Sequence, residues 1–515
     1  MAPGLSRIPY VGNLEEWMVR AFRGLFATAI LVALLAAILA PAAVAVSDSR
    51  PVIVDLGAPA TAEQVAQLRA AGLNVGVVYK HLPAVSGNLP QGRTAAVGNL
   101  PFVKGIRADT VRSPDAQRES LDLTPIPIET NYFLDFIDRE KTGATGEGVY
   151  VAVLDGGLVP SWRSYLDPEK VRVDLGRSFT GRNGNPVPYT LENDRGGHGV
   201  AVAATVIGYT LWDKRETGQF LAEPASGAPG IYTVPGVAPD ATIIPIKVCD
   251  IGVYCWDSSI YSGLDYVMSL KLGDAANGEL MGKPIVVNLS LGGSGHSEAE
   301  ENLFKAVAAS GVLVVASAGN SGPSPMGWPG AYPVVISAGA GGWRKQWYGA
   351  EDRINNQWWM DDVPEDAAAI DEWFMVWWSA YENPDLGQEL DVVATGRFML
   401  LPYLWSGKAT VPADPAPPDG IPSEYTFISG TSFSAPTTTG VVALMLSVNP
   451  DLTQAQAEMI LRMTAEPIPA GSWDAGFPIP HANTWDASKS LGGPGQQTGW
   501  GLVQADDAVT MAMGL

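Results

Sequence analysis

Cysteine is almost missing from this sequence, which has only two among 515 residues, Cys249 and Cys255. Two cysteines are too few for a Cys-based zinc cluster, and they exclude a scaffold that depends on many disulfides. Their spacing, CDIGVYC, is compatible with one disulfide that closes a small loop, provided that the compartment is oxidising. The alternative is a pair of unremarkable thiols.

Basic residues are also few, because the sequence has 32 lysines and arginines but 54 aspartates and glutamates, which gives a net charge of −22. This balance argues against a nucleic-acid partner and favours a soluble, self-repelling surface. Apolar residues make up 46% of the chain. A chain of this length and composition can build a sizeable core, either as several domains or as one large domain with attachments.

Charge of either sign is missing from residues 25–46, LFATAILVALLAAILAPAAVAV, and Arg20 and Arg23 lie just upstream. A positive flank followed by an apolar core is typical of an export signal, and the small residues AVA at 43–45 suit its cleavage. The 22 uncharged residues are also long enough to span a bilayer if they are not cut. We predict that residues 1–45 export the chain, which is then secreted or, if uncut, anchored in the membrane and facing outside.

Two regions of regular pattern follow. Residues 51–108 alternate apolar strands with an amphipathic helix, TAEQVAQLRAAG, which predicts a small α+β unit. The next segment, SPDAQRESLDLTPIP, has no strong period and indicates a linker. From about residue 147 the chain repeats near-continuous apolar strands, with helices predicted at about 258–272 and 298–310. This pattern predicts an α/β domain with a mostly parallel sheet, whose sites lie beyond the carboxyl ends of the strands.

Residues 341–389 interrupt this pattern with seven of the sixteen tryptophans, eleven acidic residues and three basic ones. The composition predicts an acidic insertion on the surface of the domain, next to a strand and at the border of the cleft. The insertion either buries its own indoles or exposes them as a contact patch for a membrane or a partner, since exposed aromatic clusters usually mark contact surfaces.

Three polar residues stand at the ends of apolar segments, in the chain order Asp155, His198, Ser432. Taken singly, each has an ordinary structural interpretation: a loop cap, a structural histidine, and the cap of the helix that begins in ISGTSFSAP. Together they can form a nucleophile, its base and the carboxylate that orients the base. A serine hydroxyl needs an imidazole to accept its proton, and the imidazole needs a carboxylate to fix its tautomer.

The sequence around these residues resembles the subtilisin-like serine proteases, the subtilases, from about residue 130 to residue 515. The resemblance rests on five motifs in the family's order and on two C-terminal segments, GVVALMLSVNPDLTQAQAEMIL and GWGLVQADDAV. The motifs are GVYVAVLDGG, GGHGVAVAATVIG, NLSLGG, ASAGN and SGTSFSAP. The resemblance implies that residues 121–515 are a catalytic domain with a three-layer α/β fold, in which helices flank a mostly parallel central sheet.

The resemblance also implies a set of site residues. Asp155, His198 and Ser432 would be catalytic, and Asn320 would be the side-chain donor of the oxyanion hole, beside the N–H of Ser432. Two segments would wall the pocket for the residue before the cut, and they are Ser290, Leu291, Gly292 and Gly293, and Ser317, Ala318 and Gly319. Both segments are uncharged and low in bulk, which suggests a pocket for apolar or medium-sized side chains. The family usually has Ser or Thr after the catalytic aspartate, where this chain has Gly156.

Residues 46–120 are similar to the inhibitory propeptide and linker that precede many subtilases. Such a segment docks on the enzyme, assists its folding and is removed by the enzyme itself, which implies a cut after about residue 108 and before about residue 130. The chemistry needs no cofactor. Calcium stabilises many members of the family, but no acidic loop in this sequence matches a ligand pattern, so no metal site is assigned.

We therefore predict an exported serine endopeptidase that is self-processed from a proenzyme, with polypeptide substrates and its own propeptide as partners. One alternative is a hydrolase of small esters, although SLGG and ASAG better suit an extended peptide between two strand edges. Another is a membrane-anchored processing protease with one narrow target. The last is a non-catalytic binding protein on a protease scaffold, which would lack a catalytic or oxyanion residue, and none is lacking.

Overall fold

The computed structural model describes most of the chain beyond the predicted export signal. It describes residues 49–114, 117–118, 131–180, 190–194, 196–212, 231–250, 254–322, 324–343, 363, 370, 373–403, 425–468 and 497–515. The predicted signal at 1–45 and most of the predicted linker lie outside the described residues. Within the described ranges, no helix is both long enough and apolar enough to cross a bilayer.

The secondary structure of these ranges has many short strands and fewer, longer helices. The strands are β1 (Ser49–Leu56), β2 (Asn74–Val78), β3 (Ala84–Pro90), β4 (Val103–Ala108), β5 (Val111–Pro114), β6 (Gln117–Arg118), β7 (Tyr150–Asp155), β8 (Arg177–Ser178), β9 (Gly208–Trp212), β10 (Ile231–Pro235), β11 (Thr242–Lys247), β12 (Cys255–Trp256), β13 (Ile285–Leu289), β14 (Leu291–Gly292), β15 (Val312–Ser317), β16 (Ile336–Trp343), β17 (Trp373–Met375), β18 (Val392–Thr395), β19 (Met399–Pro402) and β20 (Tyr425–Ser429). The α-helices are α1 (Ala62–Ala70), α2 (Thr94–Gly98), α3 (Tyr132–Asp135), α4 (His198–Ile207), α5 (Asp257–Lys271), α6 (Glu298–Ala309), α7 (Thr431–Val448), α8 (Gln454–Thr464) and α9 (Ala505–Met513).

The N-terminal region builds a small sheet of its own, in the strand order β2-β3-β1-β4. Helix α1 begins at a capping box, in which the Thr61 hydroxyl accepts the N–H of Gln64 and the Gln64 side chain accepts the N–H of Thr61. Strand β3 has no clear signal in the sequence and was not predicted, because Ala84–Pro90 contains glycine, asparagine and proline. Its pairing is close, since a Cβ on Gly87 would lie 2.4 Å from the carbonyl oxygen of Asn74 in β2.

The main sheet has the strand order β17-β16-β15-β13-β7-β11-β8, with β18 paired to β16. Strand β7 pairs in parallel with both β11 and β13, and β15 pairs in parallel with β13 and β16. Strand β17 is the antiparallel exception at the edge. Every residue of β13 and β15 is buried, as expected for parallel strands covered on both faces. The predicted α/β fold with a mostly parallel central sheet is confirmed.

The helices that pack on this sheet begin at capping residues or carry small residues where they approach the strands. Helix α6 begins where Ser297 accepts the N–H of Glu300, with three acidic residues in its first turn that favour the positive end of the helix dipole. Helix α4 is buried along its whole length and consists largely of small residues. A Cβ on Gly199 would lie only 2.4 Å from the carbonyl oxygen of Gly157, so this helix approaches the β7 end closely. Helix α7 is buried from Thr431 to Leu446 and contacts β13, β15 and β16.

The tryptophan-rich segment is part of the sheet edge where the structure describes it. Residues 341–343 belong to β16, and β17 pairs antiparallel with them. Trp343, Trp373 and Trp378 are buried, and the Trp343 ring stacks on Tyr132 with centroids 6.0 Å apart. These indoles are buried, but Trp343 packs on Tyr132 outside the segment, so it is buried against the rest of the domain rather than within the insertion. Of its other tryptophans, those at 347, 358 and 359 lie outside the described residues.

The predicted linker differs from its expected form at its first residues. Strand β5 lies between β12 and β14, and β6 pairs with β20, so residues 113–114 and 117–118 are strand rather than linker. Local period could not predict these strands, because their partners are strands distant in the sequence. Near β12, Cys249 and Cys255 are joined by a disulfide.

Candidate active site

The carboxyl ends of neighbouring parallel strands bring three predicted site residues to one edge of the main sheet. Asp155 is the last residue of β7, Ser290 follows β13, and Asn320 lies three residues beyond β15. Helix α7 packs on the same strands and supplies Ser432 from its first turn. The topology thus gathers residues that are far apart in the chain, as sites of open parallel sheets generally require.

Asp155 and His198 form a buried pair at this edge. The Nδ1 of His198 lies 2.8 Å from Oδ2 of Asp155, and both side chains are almost completely buried. The other carboxylate oxygen, Oδ1, accepts the N–H of Gly156 at 2.5 Å. The His198 ring also contacts the ring of Phe433, with centroids 5.7 Å apart, which sets the imidazole beside the residue that follows Ser432. This geometry suits an imidazole held in one tautomer by a carboxylate.

Asp194 and Lys247 bind the backbone next to this pair, and neither was predicted from the sequence to be a site residue. The Asp194 carboxylate accepts the N–H groups of Gly196 and Gly197, so it shapes the turn from which His198 starts α4. The Lys247 ammonium is buried and donates to the carbonyl oxygen of Gly156. Burial raises the pKa of Asp194 and lowers the pKa of Lys247, and the attraction between the two groups opposes both shifts.

There is little room for a side chain at Gly156, where the sequence departs from the family pattern. A Cβ at this position would lie 3.1 Å from the carboxylate of Asp194. The Gly156 backbone still serves the site twice, since its N–H binds Asp155 and its carbonyl binds Lys247. The sequence signal for Lys247 was its position, a single charge inside the apolar strand ATIIPIKV.

Ser432 is fully buried in this structure, and its Oγ donates to the carbonyl oxygen of Ser290 at 3.2 Å. Its own carbonyl would ordinarily accept the N–H of the residue four positions later, but that residue is Pro436, which has none. The Ser290 hydroxyl fills this gap by donating to the Ser432 carbonyl at 2.7 Å. Asn288 in turn donates to the Ser290 hydroxyl at 2.8 Å and accepts from Thr439 at 2.9 Å.

We expect Ser290→Ala to lower the free energy of unfolding by about 1–3 kcal/mol, because it leaves the buried Ser432 carbonyl without a donor. Denaturant unfolding in a Ser432→Ala background, where self-digestion cannot occur, measures the change. Ser434→Ala is the matched control, since its buried hydroxyl has no hydrogen-bond partner among the described residues. Equal stabilities of the two variants would contradict this account of Pro436.

Asn320 is oriented by Thr431, the residue before Ser432. Its Oδ1 accepts both the N–H of Thr431, at 3.0 Å, and the Thr431 hydroxyl, at 2.9 Å. A backbone N–H donates only to the oxygen of an amide, so this contact decides which way the side chain points. The Nδ2 group is therefore the donor end that Asn320 offers. The hydroxyl of Thr431 also accepts the N–H of Gly319 at 3.1 Å, which ties β15 to the start of α7.

The two predicted pocket walls are joined by the loop after β15, whose residues Gly327 and Trp328 form backbone hydrogen bonds with both walls. The Gly293 backbone pairs with Trp328 through hydrogen bonds of 3.0 and 2.9 Å, and the N–H of Gly327 donates to Ala318 at 2.9 Å. A Cβ on Gly327 would lie 3.5 Å from the N atom of Gly293, and one on Gly319 would lie 3.3 Å from the N atom of Gly327. The small residues of the walls thus allow close contact of three backbone segments.

The chain itself pairs with both sides of this site. On one side, Ser113 and Pro114 of β5 pair antiparallel with Gly292 and Leu291 of β14. On the other side, β6 pairs antiparallel with the end of β20, just before Ser432. An extended peptide can therefore bind across the Ser432 edge through main-chain hydrogen bonds. In the part of the chain that the structure describes, no group of three or more His, Cys, Asp or Glu side chains is arranged to hold a metal ion.

Comparisons with known proteins agree with this architecture. The family model described as "Subtilase family" matches residues 146–501. The chain belongs to the subtilase family. This subtilase is 25% identical over 394 residues to subtilisin NAT of Bacillus subtilis subsp. natto, covering 75% of the chain and 76% of the relative. It is 26% identical over 419 residues to an extracellular serine proteinase of Thermus sp. (strain Rt41A), covering 79% and 77%.

A solved structure supports the fold of this subtilase over a longer stretch. Fervidolysin from Fervidobacterium pennivorans, described as a keratinolytic enzyme related to subtilisin, matches with a TM-score of 0.56 at 20% identity. The match covers 90% of the subtilase and 61% of fervidolysin, so the chain spans less than two thirds of that protein. At this level of identity the similarity concerns the fold alone.

Proposed function

We propose that this subtilase is an exported serine endopeptidase that hydrolyses peptide bonds through an acyl-enzyme. One observation carries the proposal: the buried 2.8 Å pair of Asp155 and His198 contacts Phe433, the residue after Ser432, at an edge where extended chain pairs on both sides. A small ester would use none of this strand pairing. The extracellular relative in Thermus and the export signal predicted at residues 1–45 support secretion.

In the proposed mechanism, Ser432 Oγ attacks the carbonyl carbon of the scissile peptide bond. The Nε2 of His198 accepts the hydroxyl proton and then delivers it to the leaving amine, while Asp155 holds Nδ1 and stabilises the imidazolium. The acyl-enzyme is hydrolysed by water in the reverse sequence of proton transfers. Asn320 Nδ2 and the N–H of Ser432 donate to the oxyanion.

Reaction with a serine-directed fluorophosphonate tests the proposal. We expect the mature wild-type protein to be labelled at Ser432, and the Ser432→Ala protein to remain unlabelled. Ser434→Ala, which alters a buried hydroxyl in the same helix turn, should be labelled like the wild type. Mass spectrometry of the labelled peptide identifies the residue. Labelling of Ser432→Ala, or of neither protein, would remove Ser432 from its assigned role.

Asn320→Ala is expected to reduce kcat by roughly 10²–10³, a magnitude that comes from the corresponding donor in subtilisin itself, and to leave KM nearly unchanged. The reason is that the oxyanion forms only in the transition state. Steady-state hydrolysis of a peptide substrate measures both constants. Asn320→Asp provides the comparison, because it keeps the acceptor for Thr431 and removes the donor. A rise in KM with an unaltered kcat would instead indicate a role in substrate binding.

We also propose that the segment before residue 120 is a propeptide that the enzyme removes. Its support is the docking of residues 49–114 on the domain that follows, including the antiparallel pairing of β5 with β12 and β14. Tyr79 donates to the Ser258 carbonyl at 3.2 Å, and Asp109 accepts the N–H and hydroxyl of Ser258 at 2.9 and 2.6 Å. Such a segment inhibits the enzyme by occupying its substrate groove until it is cut.

A further inference from the structure

The side chain of Arg112, in β5, fills a pocket in the domain on which the N-terminal segment docks. Only 3% of this residue is exposed. Each of its guanidinium nitrogens has its own acceptor: Nε donates to Asp257 Oδ1 at 2.7 Å, Nη2 donates to Glu300 Oε1 at 2.6 Å, and Nη1 donates to the carbonyl oxygen of Trp328. The acceptors come from three separate parts of the domain, namely the start of α5, the first turn of α6 and the loop after β15.

The Glu300 carboxylate is held in place by the domain as well as by the arginine. Glu300 accepts from the Tyr261 hydroxyl at 2.7 Å through Oε1, and from the Tyr332 hydroxyl at 2.8 Å through Oε2. Asp257 and Glu300 are 1% and 2% exposed. Arg107, the other described cation close to Asp257, has its Nη1 4.0 Å from Oδ2 and also belongs to the N-terminal segment. Removal of that segment therefore removes both cations and leaves the two carboxylates behind.

The position of Arg112 relative to Ser432 follows from strand register. Ser113 pairs with Gly292 on one side of the site, and Gln117 pairs with Ser429 on the other. The Ser290 carbonyl, which precedes β14, contacts the Ser432 hydroxyl, and β20 leads directly into Ser432. A substrate bound in this register would be cut at a bond between the positions of Pro114 and Gln117. That interval contains three peptide bonds, and the middle one joins positions 115 and 116. If the cut falls there, Arg112 is the fourth residue on its amino side.

We propose that the pocket of Asp257, Glu300 and the Trp328 carbonyl is an arginine-binding subsite that selects polypeptide substrates with arginine four residues before the cut. The inference rests on the proposed peptidase function and gives it a substrate class. In the precursor, Arg112 occupies the subsite. After the segment departs, a substrate arginine takes the same place and returns a counter-ion to two carboxylates whose burial without one is unfavourable.

The acceptor geometry favours arginine over the other cationic side chain. Arginine presents its donors on three nitrogens of a planar fork, and each of them meets one of three acceptors that lie in different directions. The ammonium of lysine has its donors on a single atom and cannot reach all three. An uncharged side chain leaves polar groups of the pocket unpaired, which is the condition under which protein sites discriminate most strongly.

The inference is tested with internally quenched peptides that carry residues 109–118, DTVRSPDAQR, and differ only at the position of Arg112. The three peptides have arginine, lysine or citrulline there. Citrulline keeps the shape of arginine and has no charge. We expect kcat/KM of the mature wild-type enzyme to be roughly 10- to 100-fold higher for arginine than for citrulline, with lysine in between. Mass spectrometry of the products identifies the bond that is cut.

Glu300→Gln is the protein-side test, and it should reduce the arginine-to-citrulline ratio at least tenfold. The matched control is Glu301→Gln, in the same helix turn, where the glutamate pairs with Lys305 at 2.8 Å instead, and this variant should keep the wild-type ratio. The peptide comparison in the wild-type enzyme stands even if Glu300→Gln does not fold. Equal kcat/KM for arginine and citrulline would overturn the subsite and leave the peptidase function standing. Absence of cleavage of every peptide would overturn both.

Discussion

Ser432→Ala is expected to yield a protein that keeps its N-terminal segment as an uncut precursor. In subtilisin itself, loss of the nucleophile lowers kcat by about 10⁶, and a processing step with a half-life of minutes would then take years. The segment would remain docked because its contacts do not involve the Ser432 hydroxyl. They include the two carboxylate contacts of Arg112 and the β5 pairing with β12 and β14.

Intact-mass measurement and N-terminal sequencing of the purified variant, followed over days, provide the readout. Ser434→Ala controls for the change of a buried hydroxyl in the same helix, and it should mature at the wild-type rate. Addition of a small amount of active wild-type enzyme separates self-cleavage from cleavage by another molecule. Normal maturation of Ser432→Ala in isolation would refute self-processing, although it would leave the labelling test of the nucleophile unaffected.

Asp155→Asn is expected to reduce kcat by roughly 10⁴, the size of effect known for this change in a Ser/His/Asp protease. The hydrogen bonds around Asp155 explain why. The N–H of Gly156 donates to Oδ1 at 2.5 Å, so an asparagine amide would keep its oxygen there and turn its NH2 group toward His198. That group donates to Nδ1 and shifts the imidazole proton to Nε2. Nε2 can then no longer accept the proton of Ser432.

Single-turnover processing of the precursor and steady-state peptide hydrolysis both measure the effect of Asp155→Asn. KM should change little, because substrate binding does not use the Asp155 carboxylate. Asp194→Asn is the informative comparison, since Asp194 acts on the turn before His198 rather than on its ring. If kcat falls no further in Asp155→Asn than in Asp194→Asn, Asp155 would act only by holding the backbone around His198 in place.

Apolar strands and motif order were sufficient to predict most of the architecture. The strands ending at Asp155, Leu289 and Ser317 are mainly apolar runs, and a run buried on both faces can be recognised without knowing its neighbours. The predicted helices at about 258–272 and 298–310 are observed as Asp257–Lys271 and Glu298–Ala309. Here the local pattern and the tertiary environment favour the same structure.

The remaining features depend on partners that no local pattern contains. Strand β5 is a strand because β12 and β14 offer it edges on both sides. The role of Ser290 follows from the missing N–H of Pro436, more than a hundred residues away in the sequence. Arg112 resembles any linker arginine until Asp257 and Glu300 are seen to surround it. Such relationships arise only when the chain has folded.

If substrates bind as residues 111–114 and 117–118 pair on both sides of Ser432, this pairing would limit which proteins the proposed peptidase can cleave. Six residues take part in this pairing, and six residues of extended chain measure about 20 Å. A helix or a central strand of a folded target cannot supply such a length without first releasing its own hydrogen bonds. Cleavage in native proteins would therefore fall in termini and exposed connecting segments, or follow partial unfolding. The local stability of the target, as much as its sequence, would decide how fast it is degraded.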